Sequence, residues 1–106
     1  NMKLLENTFV QTNSDILADN EQVRIEQLKL TDDISTTTIT VHGMQEYTFT
    51  SRSGIAQIYV GAGTIVSGSE TLDLNLFNKV ALIRGERVTI INNQAIPLVI
   101  NIISAN

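Results

Sequence analysis

Apolar and polar residues alternate with a period of two along most of the chain, the pattern of strands with one buried face. In IAQIYV, residues 55–60, the side chains of Ala56, Ile58 and Val60 fall on one face. The same alternation returns in TLDLNLF, KVALIRG and RVTII. PLVINIIS is apolar on both faces apart from Asn101, which indicates a strand covered on both sides. The pattern predicts about eight to ten short strands and no helix.

The first half of the chain shows a weaker pattern. In EQVRIEQLKL the apolar positions shift phase between Ile25 and Leu28, which predicts a bulge within one strand or a break between two. STTTITVHG and EYTFTS follow as further strands, the second with Tyr47 and Phe49 on one face, while LADNEQ is predicted as a polar connection. We therefore expect residues 1–106 to form one all-β sandwich or barrel.

The segment YVGAGTIVSG, residues 59–68, poses a choice between a phosphate-binding loop and a turn. A phosphate loop leads into a helix, whose first N–H groups bind the anion. Here the residues after Gly63 alternate like a strand, and the lysine of a P-loop is missing. We predict that Gly61 and Gly63 let a strand bend or approach a neighbour closely and that Gly68 forms a hairpin turn.

Composition narrows the range of functions. Seven Lys and Arg against eleven Asp and Glu give a net charge of −4, which disfavours nucleic acid as a partner. The chain has no cysteine, which excludes thiolate chemistry and fits a reducing cytoplasm without excluding secretion. No apolar run approaches the length of a membrane span, so no membrane segment is predicted. Asn1 precedes Met2 and is interpreted as a tag remnant.

Residues 43–103 resemble the cupin superfamily of small jelly-roll barrels. The resemblance lies in a strand, a glycine-bearing bend, a hairpin, an alternating leucine strand and two more strands. The first cupin motif runs glycine, five residues, His-x-His, three or four residues, Glu, six residues, glycine. If Gly61 closes this motif, its glutamate position falls on Gly54. Its two histidine positions fall on Thr48 and Thr50, or with the longer spacing on Tyr47 and Phe49.

The second cupin motif runs glycine, five residues, Pro-x-Gly, two residues, His, three residues, Asn. Its opening glycine falls on Asn78 and its proline on Arg84, with Gly85 beside the expected glycine. The histidine position falls on Thr89, and Asn93 matches the closing asparagine.

The resemblance implies a divalent metal held by three histidines and one glutamate, a ligand set that suits Mn, Fe, Ni or Zn. None of these positions carries such a residue here, and His42 is the sole histidine of the chain. We therefore expect no metal and no cofactor. We interpret His42 as a surface or hydrogen-bonded residue.

We predict a metal-free cupin-like domain that binds a small polar ligand, namely a sugar, a nucleoside or an anion, at the mouth of the barrel. The predicted ligand-binding residues are Thr48, Thr50, Tyr59, Arg84 and Thr89. The alternative is that the threonines are simply good strand formers and that Arg84 is a solvated charge. The two apolar faces of PLVINIIS suggest a further contact surface, and we expect a homodimer.

A second hypothesis is an enzyme. The stretch HGMQEYTFTSRSGIAQIYVGAGTIV is similar to the central strands of small cupin-like pyrimidine/purine nucleoside phosphorylases. This resemblance implies an enzyme that needs no metal. The later Pro-Gly-His-Ser-like stretch of that family is replaced by RGERVT. GAGTIVSGSETLDL also fits the strand rhythm of the cupin part of phosphomannose isomerases, which are sugar-phosphate isomerases.

Overall fold

Ten strands make up the secondary structure of residues 8–9 and 11–106, the part of the chain that the computed structural model describes. They are β1 (Asp15–Asp19), β2 (Val23–Lys29), β3 (Ile34–Val41), β4 (Glu46–Thr50), β5 (Gly54–Val60), β6 (Gly63–Ser67), β7 (Glu70–Leu74), β8 (Lys79–Leu82), β9 (Arg87–Ile91) and β10 (Leu98–Ala105). No helix forms within these residues, and so none that could cross a membrane. The all-β prediction is confirmed, whereas the interpretation of Asn1 lies outside the described residues.

The strands form two sheets in which every neighbouring pair is antiparallel. One sheet has six strands in the order β1-β2-β3-β10-β5-β8, and the other has four in the order β4-β9-β6-β7. Strand β10 lies between β3 and β5 in the middle of the larger sheet. Its inner face is buried, but Ile103 on its outer face is 45% exposed, so within the described residues β10 is not covered on both sides as predicted.

The core lies between the inner faces of the two sheets, where the alternating apolar residues meet. Leu98 and Ile100 of β10 and Val88 and Ile90 of β9 are almost completely buried there. The inner face of the larger sheet becomes polar toward one end, where its side chains are Gln27, Ser35, Thr37 and Ser104. That change of polarity positions the candidate site.

Two predictions about the first strands are wrong. Strand β2 is continuous, and the phase shift only places Leu28 on the outer face, where it pairs with Thr36 of β3. The bulge lies instead in β1, between Ile16 and Ala18, so the first residues of LADNEQ belong to a strand. A bulge interrupts the alternation of side chains between the two faces of a strand, so the sequence of β1 does not show the pattern from which strands are predicted.

The glycine segment turns the chain, as predicted. Gly61 has φ +87° in the bend after β5, and Gly68 has φ +59° in the β6–β7 hairpin. Gly63 begins β6, where a Cβ atom would lie 2.5 Å from the carbonyl oxygen of Ile91. A backbone approach this close requires glycine.

Candidate functional site

A cavity of about 270 Å³ opens between the sheets at the polar end of the barrel, and we call it the mouth cavity. Its apolar side chains come from both sheets and are Leu17, Ala18, Ile25, Ile39, Tyr47, Phe49, Leu82 and Ile102. Its polar residues are Gln27, Thr37, Thr50, Arg52 and Ser104. A half-apolar cavity with a few polar groups is the usual composition of a small-ligand site.

Strand β4 supplies the aromatic wall of the mouth cavity. Residues 46–50 alternate in exposure, so Tyr47 and Phe49 turn inward while Thr48 turns outward. The two rings are nearly parallel, with centroids 5.8 Å apart and planes 18° apart. Such a wall offers a flat apolar surface to the body of a ligand.

Uncharged hydrogen-bonding groups line the opposite side of the mouth cavity. Gln27 Nε2 donates to Thr37 Oγ1 at 3.2 Å, which leaves the Gln27 carbonyl oxygen as an acceptor. Thr37 and Ser104 are buried at the inner face of β3 and β10. These groups can both donate to and accept from a polar ligand.

Arg52 is the one charged side chain among the described residues that line the mouth cavity. It is exposed in the loop between β4 and β5, and it forms no ion pair within the described residues. The loop is anchored through its neighbour Ser51, whose N–H donates to Glu86 O at 2.8 Å and whose carbonyl accepts from Gly85 N at 3.0 Å. Ser51 Oγ also donates to the Ile83 carbonyl. The anchored backbone places Arg52 at the edge of the mouth cavity.

The five residues predicted as ligand-binding do not come together in the structure. Thr50 lies at the mouth cavity, and its Oγ1 accepts a hydrogen bond from Arg87 Nη1 at 3.3 Å. Thr48 and Thr89 face each other on the outer surface of the smaller sheet, with their hydroxyl oxygens 2.8 Å apart. Their neighbours in the strands are the inward-facing residues, so these two threonines do not line the interior.

The other two predicted residues also lie outside the mouth cavity. Tyr59 is half exposed on β5, where the pairing with β10 is irregular. Arg84 is exposed in the β8–β9 turn, with Nη2 3.5 Å from the carbonyl oxygen of Asn106. A part for Tyr59 or Arg84 in ligand binding stays a prediction.

The structure decides between the two spacings of the first cupin motif. Tyr47 and Phe49, the positions of the longer spacing, face inward from β4. The second motif also shifts by one residue when its glycine is placed on Gly85, which has φ +88° in the β8–β9 turn. The histidine position then falls on Val88, which is buried directly opposite Phe49 across the β4–β9 pair.

Asn92 rather than Asn93 then occupies the asparagine position of the second motif. Its side chain is 2% exposed, and its Nδ2 lies within hydrogen-bond distance of the carbonyl oxygens of Val41, His42 and Ile96 at 3.0, 3.2 and 2.8 Å. Asn93 is exposed in the same loop. Asn92 points into the fold and Asn93 does not, which favours the register shifted by one residue, and the placement of the closing asparagine on Asn93 stays a prediction.

Tyr47, Phe49 and Val88, which face inward at the histidine positions of the two motifs, do not fit a divalent metal. Phenylalanine and valine carry no donor atom, and a neutral tyrosine hydroxyl alone is a poor ligand. The glutamate position cannot hold a side chain in this backbone, because a Cβ on Gly54 would lie 2.4 Å from Ile103 O and 2.8 Å from Ser104 Cβ. Within residues 8–9 and 11–106, no three His, Cys, Asp or Glu side chains cluster elsewhere to hold a metal.

The residues that sequence reasoning missed are Gln27, Thr37, Arg52 and Ser104. Three of them stand on inward-facing positions of β2, β3 and β10 that are apolar nearer the centre of the barrel. A polar residue in phase with a buried apolar set is the signal that could have identified them. Arg52, which follows β4 in a loop, carries no such signal.

Solved structures of other proteins support the fold, whereas sequence comparison assigns the chain to no family. The chain matches no protein-family model and no curated protein. Among solved structures, a cupin-2 domain protein of Rhodospirillum rubrum has a TM-score of 0.71 and 14% identity over 94% of this chain and 74% of its own. An RmlC-like cupin of Methanocaldococcus jannaschii with a double-stranded β-helix fold has a TM-score of 0.70 and 16% identity over 92% of each chain.

A protein of Photorhabdus luminescens is similar to the same degree, with a TM-score of 0.71 and 12% identity over 92% of this chain and 86% of its own. The described domain therefore has the cupin fold, which confirms the predicted architecture. At identities this low the likeness concerns the fold alone. The activity must be argued from the site.

Proposed function

We propose that this domain binds a small organic anion in the mouth cavity without a metal ion. The observation that carries the proposal is a single arginine, Arg52, in the lining of a cavity whose other described lining residues are uncharged. A guanidinium group presents its N–H donors in a planar fork that fits a carboxylate or a phosphate. No carboxylate of the lining competes with a ligand for it.

The lining favours an anion that also has an apolar or flat body. The Tyr47–Phe49 wall and Ile102 offer apolar contact, while Gln27 and Thr37 offer hydrogen bonds at one side. The volume of about 270 Å³ is near the lower end of ligand cavities, which suits a molecule with one ring or a short chain. Among the three ligand classes considered from the sequence, the structure thus supports an anion best.

We propose binding rather than turnover. No carboxylate and no imidazole occurs among the described residues that line the mouth cavity, so the side chains most used in acid–base catalysis are not at hand there. The lack of a donor set for a metal supports the same reading. The absence of cysteine suits a reducing compartment, and we expect the domain to act in the cytoplasm.

Titration by two-dimensional ¹H–¹⁵N NMR in the presence of EDTA tests the proposal. The probes are benzoate, hexanoate and phenyl phosphate, each with an uncharged partner of similar shape: benzamide, hexanol and phenol. We expect the anions to shift backbone signals of β4, the Arg52 loop and the end of β10. Arg52→Gln should weaken binding of the anions about 10- to 100-fold, the loss expected for one charged hydrogen-bonded contact.

Arg84→Gln is the matched control, because it removes the same charge from an exposed turn outside the mouth cavity. It should leave the affinities unchanged. Equal binding of the uncharged partners, or equal losses in Arg52→Gln and Arg84→Gln, would contradict the proposal. Release of a free base from nucleosides incubated with phosphate and a high concentration of protein would instead favour the phosphorylase hypothesis.

A further inference from the structure

An apolar row crosses the outer face of the larger sheet, on the side opposite the mouth cavity. It consists of residues that stand directly opposite one another on five adjacent strands: Leu28, Thr36, Ile103, Ile55 and Ala81. Ile55 and Ile103 are 52% and 45% exposed, although both lie on inner strands of the sheet. Half-exposed isoleucines in the middle of a sheet are typical of a surface that a partner covers.

A polar row runs parallel to the apolar row, two residues along each strand. It consists of Glu26, Thr38, Asn101, Gln57 and Lys79. At its centre Asn101 is only 3% exposed, and its Nδ2 donates to Thr36 Oγ1 at 2.7 Å and lies 3.5 Å from Thr38 Oγ1. The centre of the polar row is thus an amide that is already hydrogen-bonded. The two charged residues of the row, Glu26 and Lys79, stand at its ends.

We propose that a second copy of this chain packs on this face, with the two-fold axis parallel to β10. In that arrangement β10 faces β10 of the second copy, β3 faces β5, and β2 faces β8. Ile103 meets its own counterpart, and Ile55 meets Thr36 in the apolar row. In the polar row, Glu26 of each copy faces Lys79 of the other.

Charge complementarity selects this axis. If the axis lay between β3 and β10 instead, β8 of one copy would face β1 of the other. Lys79 would then face Ile16, which is the residue of β1 that pairs with Glu26, and Glu26 itself would have no lysine opposite it. The axis along β10 instead forms two Glu26–Lys79 pairs and opposes no like charges in this row. Glu26 Oε1 accepts from Arg24 Nη2 at 3.0 Å within the chain, and Oε2 has no partner among the described residues.

The dimensions of the face fit a weak dimer. Five strands about 4.8 Å apart and two rows about 7 Å apart make a face on the order of 20 Å by 15 Å. Such a face covers about 300 Å², which is less than half of the roughly 800 Å² per partner of a standard interface. Aligned sheets pack at about 30° to each other, an angle that the long side chains of Lys79 and Glu26 can span.

Charge reversal tests both the partner and the axis. Sedimentation equilibrium across the micromolar range should show a dimer for the unaltered chain. Glu26→Lys places two lysine pairs in the interface, and Lys79→Glu places two glutamate pairs there. Each variant alone should dissociate about 10- to 100-fold more readily. An equimolar mixture of the two should form a heterodimer near the original affinity, because each like pair becomes an opposite pair.

Ile103→Lys and Ile96→Lys provide a second, matched comparison. Both isoleucines are exposed to a similar degree, but Ile96 lies in the loop between β9 and β10 and outside the proposed face. Only Ile103→Lys should yield a monomer, and thermal unfolding followed by circular dichroism establishes that both variants fold. A monomeric unaltered chain throughout the range, or charge variants that do not recover on mixing, would overturn the proposal.

Discussion

Asn92 directly follows β9 of the smaller sheet, and its side chain bonds to the end of β3 in the larger sheet and so connects the two sheets. Its Nδ2 donates to the carbonyl oxygens of Val41, His42 and Ile96, while its Oδ1 accepts from Gln94 N at 3.0 Å. Replacing Asn92 with alanine removes all of these partners. The backbone groups left behind are then only partly reached by water, because the site is 2% exposed.

The structure sets the size of the effect. An amide nitrogen carries two hydrogens, so its three short contacts amount to two full hydrogen bonds, and Oδ1 adds a third. At about 1 kcal/mol for each bond, Asn92→Ala should lower the free energy of unfolding by about 3 kcal/mol. For a domain of this size that corresponds to a fall in Tm of about 10 to 20 °C.

Chemical denaturation of Asn92→Ala, with Asn93→Ala as its control, measures this difference. Asn93 is exposed, and its side chain forms no hydrogen bond within the described residues, so its loss should change stability by less than about 0.5 kcal/mol. The one-residue difference also tests the register of the second cupin motif. Equal effects of the two substitutions would refute the reasoning.

Asn92→Asp adds a dependence on pH. The introduced carboxyl group would face three carbonyl oxygens in a buried position, which raises its folded-state pKa above the ordinary value of about 4. At a pH between the ordinary pKa and the raised pKa of the folded state, the folded state keeps the proton while the unfolded state loses it. The variant should therefore be closest to the unaltered chain below about pH 4 and lose stability as the pH rises.

Two further predictions concern backbone space and the former ligand positions. Gly63→Ala should lower the free energy of unfolding by about 2 to 3 kcal/mol, because its Cβ would lie 2.5 Å from the Ile91 carbonyl oxygen. Gly68→Ala should lower it by only about 1 kcal/mol, because Gly68 has φ +59° but open space around it. Urea denaturation of both variants measures the difference. Tyr47→His, Phe49→His and Val88→His together should create a site that binds one Zn²⁺ or Ni²⁺ per chain, measured by calorimetry.

The matched control for the histidine triple is Thr48→His, Thr50→His and Thr89→His, the set that the shorter motif spacing would select. It should bind the same ions much more weakly, because Thr48 and Thr89 stand on the outer surface. Equal or tighter binding by the control triple would contradict the inward assignment of Tyr47, Phe49 and Val88. Equal losses of stability in the two glycine variants would contradict the close approach at Gly63.

The strands that could be predicted from the sequence are those whose pattern of apolar residues runs without interruption. RVTII, which alternates, became β9 with Val88 and Ile90 inward, and PLVINIIS, a continuous apolar run broken only by Asn101, became the central strand β10. The bulge between Ile16 and Ala18 broke the same pattern in β1, and for that reason the strand was not predicted.

The candidate site was harder to predict, because a shift of one residue along a strand moves a side chain to the opposite face. Counting from the motifs placed the histidine position on Thr89, while the strand places Val88 inward and Thr89 outward. The alternation in RVTII contained the correction, since it places Val88 and Ile90 on one face of the strand and Thr89 on the other. Arg52 depends on the course of a loop, which no periodicity describes.

A crystal structure of the domain with a bound carboxylate ligand, grown without added metal, tests the central claim most directly. We expect the carboxylate to lie within hydrogen-bond distance of the Arg52 guanidinium group and the body of the ligand to lie against Tyr47 and Phe49. A ligand bound on the outer face at Thr48 and Thr89, or one held through a cation between the sheets, would contradict it.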